Sequence, residues 1–202
     1  FKPTSFASRY QSFTPGSFAQ SIGDLSANIE SNLVIKLWFM PTILLAGNQT
    51  LLAWGDVSIS LDQHGVITAA LPNNILLSSS EAVKIHNWYS LEIKILDSGA
   101  TTLNLQHLAN SKTCLVSTKD NDTAIDRGQF FPLSIKAPVR IAASYKDAPS
   151  CFNGKIEAPE ILADGKLIAK WDFSQGISSL SVKTKTGPDL LLKNAPTRGV
   201  TG

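Results

Sequence analysis

Alternation of apolar and polar residues is the feature that most constrains this chain. In NLVIKLWFM (32–40), Leu33, Ile35, Leu37 and Phe39 share one parity, and Val34, Lys36, Trp38 and Met40 share the other. A period of two puts alternate side chains on opposite faces of an extended backbone. DVSISLDQHGVITAAL (56–71) repeats the pattern: Val57, Ile59 and Leu61 alternate with Ser58 and Ser60, Gln63-His64-Gly65 turns, and Val66 resumes. In WYSLEIKILDSGATTLNLQHL (88–108), Leu91, Ile93 and Ile95 alternate with Glu92 and Lys94 before a turn at Asp97-Ser98-Gly99. PVRIAASY (138–145) and KIEAPEILADGKLIAKWDF (155–173) add short strands, the latter with a turn at Asp164-Gly165. In SCFNGKIEAPEIL (150–162), Asn153-Gly154 reads as a two-residue hairpin turn, because both residues tolerate positive φ. No segment sustains a helical period, and the best candidate, SFAQSIGDL (17–25), is short and broken by Gly23. Many strands punctuated by Gly, Asn and Asp predict an all-β fold, a two-sheet antiparallel sandwich or jelly roll.

The totals bound what such a sandwich does. With 202 residues, 43% of them apolar and 17% charged, the chain is long and apolar enough for one domain with a sizeable core. A net charge of +2 does not advertise nucleic acid or an anionic membrane as partner. Lys166, Lys170, Lys183, Lys185, Lys193 and Arg198 outnumber Asp172 and Asp189 near the end, which reads as a solvated basic tail. The apolar runs LVIKLWFM and PTILLAG are too short to span a bilayer. Residues 1–202 read as a single domain, expected to be a piece of a longer chain, and the polar stretch 110–137 as a long loop or insertion. Cys114 and Cys151 do not make a disulfide framework and are expected as buried thiols. The sequons at Asn48 and Asn121 matter only in a secreted chain, and the compartment stays open.

Several of these segments together resemble a family. LVIKLWFMP, VSISLDQHGVITAAL, IHNWYSLEIKILD and PVRIAASYKDAPSCFNGKIEAPEIL resemble successive strands of laminin-G-like domains, which have the concanavalin A-like jelly-roll fold. The order of FNGKIE, WDFS and NAPTRGVTG is similar to the sandwich domain in the large subunit of N,N-dimethylformamidase-like proteins. The chain departs from that pattern where Lys183-Thr184-Lys185-Thr186-Gly187 replaces an acidic turn. The resemblance implies a non-catalytic accessory module that packs against catalytic or neighbouring domains of a parent amidohydrolase acting on carbon–nitrogen bonds. A carbohydrate-binding, lectin-like module is the alternative, and a hydrolase the second alternative.

Catalytic chemistry is sparse. A retaining glycosidase needs two carboxyl groups about 5–5.5 Å apart. Glu157 and Glu160 are three apart with Pro159 between them, so a regular strand would send them to opposite faces. Glu92 and Asp97 are separated by a strand and its turn. His64, His86 and His107 show no zinc-ligand spacing, and no nucleophile elbow or phosphate loop is present. No cofactor is evident. The loop with Asp120, Asp122 and Asp126 lacks the glycine and terminal glutamate of an EF-hand, leaving a structural calcium site of another kind as the alternative to a solvated loop. Flat aromatic rings are the usual platforms for sugars. Trp38, Trp88 and Trp171 lie within strand patterns and are expected in the core, whereas Trp54, ahead of Gly55-Asp56, is expected at a rim. Trp54, Asp56, Tyr145, Asp147 and Asn153 are therefore the candidate ligand-binding residues, on loops at the end of the sandwich.

Overall fold

The computed structural model describes residues 1, 5–7, 12–14, 16–45, 47–108, 112–115, 132–145, 150–174 and 179–194. Every regular element among them is a strand. The first half holds β1 (Ser5–Ala7), β2 (Ser12–Thr14), β3 (Phe18–Ser21), β4 (Leu25–Ile29), β5 (Leu33–Pro41), β6 (Gln49–Trp54), β7 (Val57–Leu61), β8 (Ile67–Leu71) and β9 (Ile75–Ser78). The second half holds β10 (Tyr89–Ile95), β11 (Thr101–His107), β12 (Lys112–Leu115), β13 (Leu133–Ala137), β14 (Val139–Ile141), β15 (Gly154–Ala163), β16 (Lys166–Lys170), β17 (Ser181–Val182) and β18 (Leu190–Lys193).

Two antiparallel sheets build the jelly-roll sandwich. One has six strands in the order β12-β11-β10-β5-β15-β16, the other eight in the order β17-β18-β3-β14-β6-β7-β8-β9. Two ribbons, β1-β2 and β13-β4, complete the strand set. The alternation in the sequence becomes the sandwich directly: Leu33, Ile35, Leu37 and Phe39 of β5 and Leu91, Ile93 and Ile95 of β10 are buried. They pack in one cluster with Ile59 and Leu61 of β7 and Leu52 of β6. The stacked pair Phe39–Tyr89, at 5.6 Å between centroids, and Phe152, 6.3 Å from Phe39, fill one end.

In keeping with the lack of a sustained helical period, SFAQSIGDL forms no helix; it splits into β3 and β4 around Gly23, whose φ is 88°. Two expectations are corrected. The stretch 110–137 is not simply loop, because it carries β12 and also β13, which pairs with β4 from Leu133↔Ile29 to Ala137↔Leu25. Its Asp120, Asp122 and Asp126 lie outside the described residues. Nor do Asn153-Gly154 form a hairpin turn. Asn153 does not take positive φ, and Gly154 opens β15 by pairing with Pro41 of β5. Gly154 is required there for a different reason, since a Cβ would stand 2.2 Å from the Met40 carbonyl oxygen and 2.6 Å from the Phe152 ring.

The Asp164-Gly165 turn between β15 and β16 forms as expected, with φ of 49° and 74°. It also clasps the β4–β5 connection. The Asp164 carboxylate accepts hydrogen bonds from the Glu30, Ser31 and Asn32 amides at 3.0, 2.7 and 3.0 Å and from the Ser31 hydroxyl at 2.9 Å. Those bonds favour the ionised form and hold the carboxyl well below the usual carboxylate range.

Candidate functional site

The outer face of the six-stranded sheet gathers the polar parity of five strands. Antiparallel register sorts its side chains into rows that cross the strands. One row reads Glu157, Trp38, Ser90 and Gln106, from the pairs Glu157↔Trp38, Trp38↔Ser90 and Ser90↔Gln106. The next reads Lys170, Glu160, Lys36, Glu92 and Asn104. On the other side lie Lys155 and Met40, continued by Trp88 and Leu108, whose backbones extend the ladder through the Leu108 N–H to Trp88 carbonyl bond of 3.1 Å.

Trp38 stands at the middle of this face with 48% of its surface exposed. This corrects the core expectation. Its inward neighbours Leu37 and Phe39 occupy the core, so parity leaves the indole outside. Trp88 is half-buried rather than fully enclosed. Trp171 alone of the three is wholly buried, its indole N–H donating to the Pro188 carbonyl at 2.7 Å.

Glu157 and Glu160 occupy the same face, contrary to the regular-strand reading. β15 carries a bulge between them, opposite Leu37, so that Glu157 pairs with Trp38 and Glu160 with Lys36. Ala158 takes a φ of 44° within the bulge while Pro159 turns inward and is buried. Proline has no N–H to give a sheet ladder and is confined to edges and bulges. The Ala-Pro step in an otherwise regular strand was therefore the readable signal.

Most charges on this face are committed to one another. The Lys170 ammonium lies 2.5 Å from Glu160, while Lys36 and Lys94 lie 3.0 and 2.7 Å from the two oxygens of Glu92. Partial burial pushes the Glu92 carboxyl upward, but hydrogen bonds from both lysines and their charges outweigh it and leave it below the ordinary value. Glu160, by its hydrogen bond and charge, raises Lys170. The Asn104 amide nitrogen reaches Glu92 at 3.5 Å; its Oδ1 is buried with no hydrogen-bond partner among the described residues.

The loop candidates are not brought together into one site. Trp54 is not at a rim: it is fully buried, and its indole N–H donates to the Leu25 carbonyl at 3.0 Å beneath β4. Tyr145 is 37% exposed, but its hydroxyl is held by backbone, accepting from the Gly55 amide at 3.3 Å and lying against the Ala53 and Pro138 carbonyls. Burial raises the phenol above its ordinary pKa, partly offset by the Gly55 amide and the Arg140 charge. The Arg140 guanidinium sits 5.3 Å from the centroids of both Tyr145 and Phe18. Asp56 is exposed and lines an open cleft of ≈ 400 Å³ with Pro72, Asn73 and Asn74. Asn153 lies at the other end of β6, roughly 17 Å of strand away. Its amide donates to Gln49 at 3.0 Å, and its side chain accepts from Thr42 at 3.1 Å. Asp147 lies outside the described residues.

Cys151 is a buried thiol outside any disulfide. Among the described residues no three His, Cys, Asp or Glu side chains are grouped to hold a metal ion. No described helix is long and apolar enough to cross a membrane.

No protein-family model matches the sequence, and no curated protein sequence matches it. Solved structures with partial likeness include the heptameric SAP-like pentraxin from Limulus polyphemus, at 11% identity and a TM-score of 0.47 over 83% of this chain and 76% of that one. Tailspike protein 2 from an Escherichia coli O157:H7 bacteriophage aligns at 12% identity and 0.49, over 74% of this chain but only 25% of its own. Domains LG4-5 of the mouse laminin alpha1 chain align at 12% and 0.42, covering 77% of this chain and 44% of theirs.

Proposed function

We propose that this chain is a non-catalytic carbohydrate-binding module whose site is the outer face of the six-stranded sheet. The observation that carries the reading is Trp38, a half-exposed indole in mid-sheet with Glu157 and Ser90 directly beside it. Tryptophan is on average highly buried, and leaving one in water sacrifices transfer free energy of about 1.5–3 kcal/mol. A flat ring ringed by hydrogen-bonding side chains suits a pyranose, whose C–H face stacks while its hydroxyls bond laterally. The non-catalytic part of the reading is supported by the acids beside the platform row, Glu160 and Glu92, which are ion-paired with Lys170, Lys36 and Lys94.

The test is retention on a broad array of glycans, repeated with Trp38→Ala. Retention should fall at least tenfold in Trp38→Ala while its melting temperature moves by no more than about 2–4 °C. Tyr145→Ala, remote from this face, should bind as wild type. Silence of the wild-type protein across the array overturns the reading.

A packing role in a longer chain is the second reading, favoured by Leu180 and Ile22. These are 65% and 58% exposed along the β17-β18-β3 margin of the eight-stranded sheet. Attachment to a dimethylformamidase-like subunit rests on the order of FNGKIE, WDFS and NAPTRGVTG, and the residues flanking this segment in its parent protein test it.

A further inference from the structure

Resting on the carbohydrate-binding reading, we infer that the Trp38 face selects extended neutral oligosaccharides bearing acetamido groups, held across the strands. The row Glu157, Trp38, Ser90 and Gln106 spans β15, β5, β10 and β11. The strand spacing of about 4.8 Å is close to the advance of one pyranose along an extended chain. The four strands therefore match about three sugars, with the central ring over Trp38.

The two walls of this track differ. On one side Lys170–Glu160 and Lys36–Glu92–Lys94 are closed ion pairs. Across the face Lys36, Lys94, Lys155 and Lys170 meet Glu92, Glu157 and Glu160, so the track carries little net charge with which to select an anion or a cation. Hydroxyls can bond to that wall. On the other side Lys155 stands at one end, and Met40, Trp88 and Leu108 make a mainly apolar stretch, with Leu108 45% exposed. Apart from the Lys155 ammonium and the Trp88 N–H, that stretch offers a hydroxyl no strong partner, and it would bury a methyl group. An acetamido substituent brings a methyl to it, and successive units of a β-1,4 chain alternate edges, so one or two of three acetamido groups reach the wall. Each buried methyl contributes about fourfold in affinity.

Titration calorimetry with two β-1,4-linked trisaccharides, of N-acetylglucosamine and of glucose, separates the outcomes. The acetylated sugar should bind about 4- to 16-fold more tightly. Leu108→Ser, at an exposed position, should reduce that preference below about twofold. Met40→Ser provides a second variant with the same expected effect. Equal affinities for the two sugars, or a preference indifferent to both variants, overturn this inference and leave the Trp38 reading standing. If neither sugar binds and the glycan array is also silent, the Trp38 reading falls and this inference with it. If a different glycan binds through Trp38, only the acetamido inference falls.

Discussion

At the scale of single residues, Trp38 and Trp54 show how parity and tertiary cover divide chemically identical side chains. Trp38 is one step out of phase with four buried residues of its strand, so its indole faces away from the core. Trp54 ends a strand buried at every position, and the β4–β13 ribbon covers what would otherwise be a rim. The signal for the first lay in the alternation of NLVIKLWFM, which the core expectation for Trp38 passed over. The second had no such signal, because the cover comes from residues more than twenty positions away. Gly154 is a similar case. Its dipeptide resembles a turn signal, yet its real constraint is the Met40 carbonyl oxygen and the Phe152 ring, which a Cβ would strike. Gly154→Ala should therefore cost about 3 kcal/mol through overpacking against backbone, lowering the melting temperature by roughly 6–12 °C. Thermal denaturation followed by circular dichroism measures it; a shift below 2 °C would mean that β15 can move away from β5 at little cost.

At the scale of elements, the bulge in β15 decides what the outer face carries. Inward positions run Gly154 and Ile156, then Pro159, Ile161 and Ala163, so the phase changes by one residue between Glu157 and Glu160. Without that change, keeping Ile161 in the core would turn Lys155 and Glu157 inward and Ile156 outward. Deleting Ala158 removes the extra residue, so Gly154, Ile156, Pro159, Ile161 and Ala163 share one unbroken inward parity while Lys155, Glu157 and Glu160 stay outward. The deletion should therefore leave a soluble protein whose melting temperature lies within about 4–8 °C of wild type. Insoluble protein would show that the bulge itself, and not only the phase it corrects, is needed for folding. β5, β7, β8, β10 and β11 were legible because each alternates over five or more residues. The paired glutamates were misplaced because a period-two reading carries no bulge, although Pro159 marks where one is needed. β13 was hidden because its partner β4 is short and more than a hundred residues distant, so its pairing leaves little local trace.

At the scale of the whole molecule, the shifted carboxyls tie distant turns together and predict how stability depends on pH. Asp164 joins the β15–β16 turn to the β4–β5 connection, Glu92 joins β10 to β5, and Asp189 links to Lys183 and to the Thr184 amide across the turn before β18. All three titrate below their ordinary values in the folded protein. A carboxyl depressed on folding contributes stability that is complete above its unfolded value, about 4, and is lost as pH falls toward its folded value. Tyr145 works in the opposite sense, since burial raises it. Its contribution is complete below its unfolded value, about 10, and disappears as pH rises through the folded one. Melting temperature should accordingly be flat from about pH 5 to 9 and fall on both sides. The two flanks have separate residue origins. Asp164→Ala, which removes four hydrogen bonds at a partly buried position, should lower the plateau by about 3–6 °C and make the acid flank shallower. Tyr145→Phe should leave the acid flank unchanged and flatten the alkaline one. Scanning calorimetry of the three proteins from pH 3 to 11 decides this, and an acid flank identical in wild type and Asp164→Ala would show that the Asp164 clasp contributes nothing to the folded state.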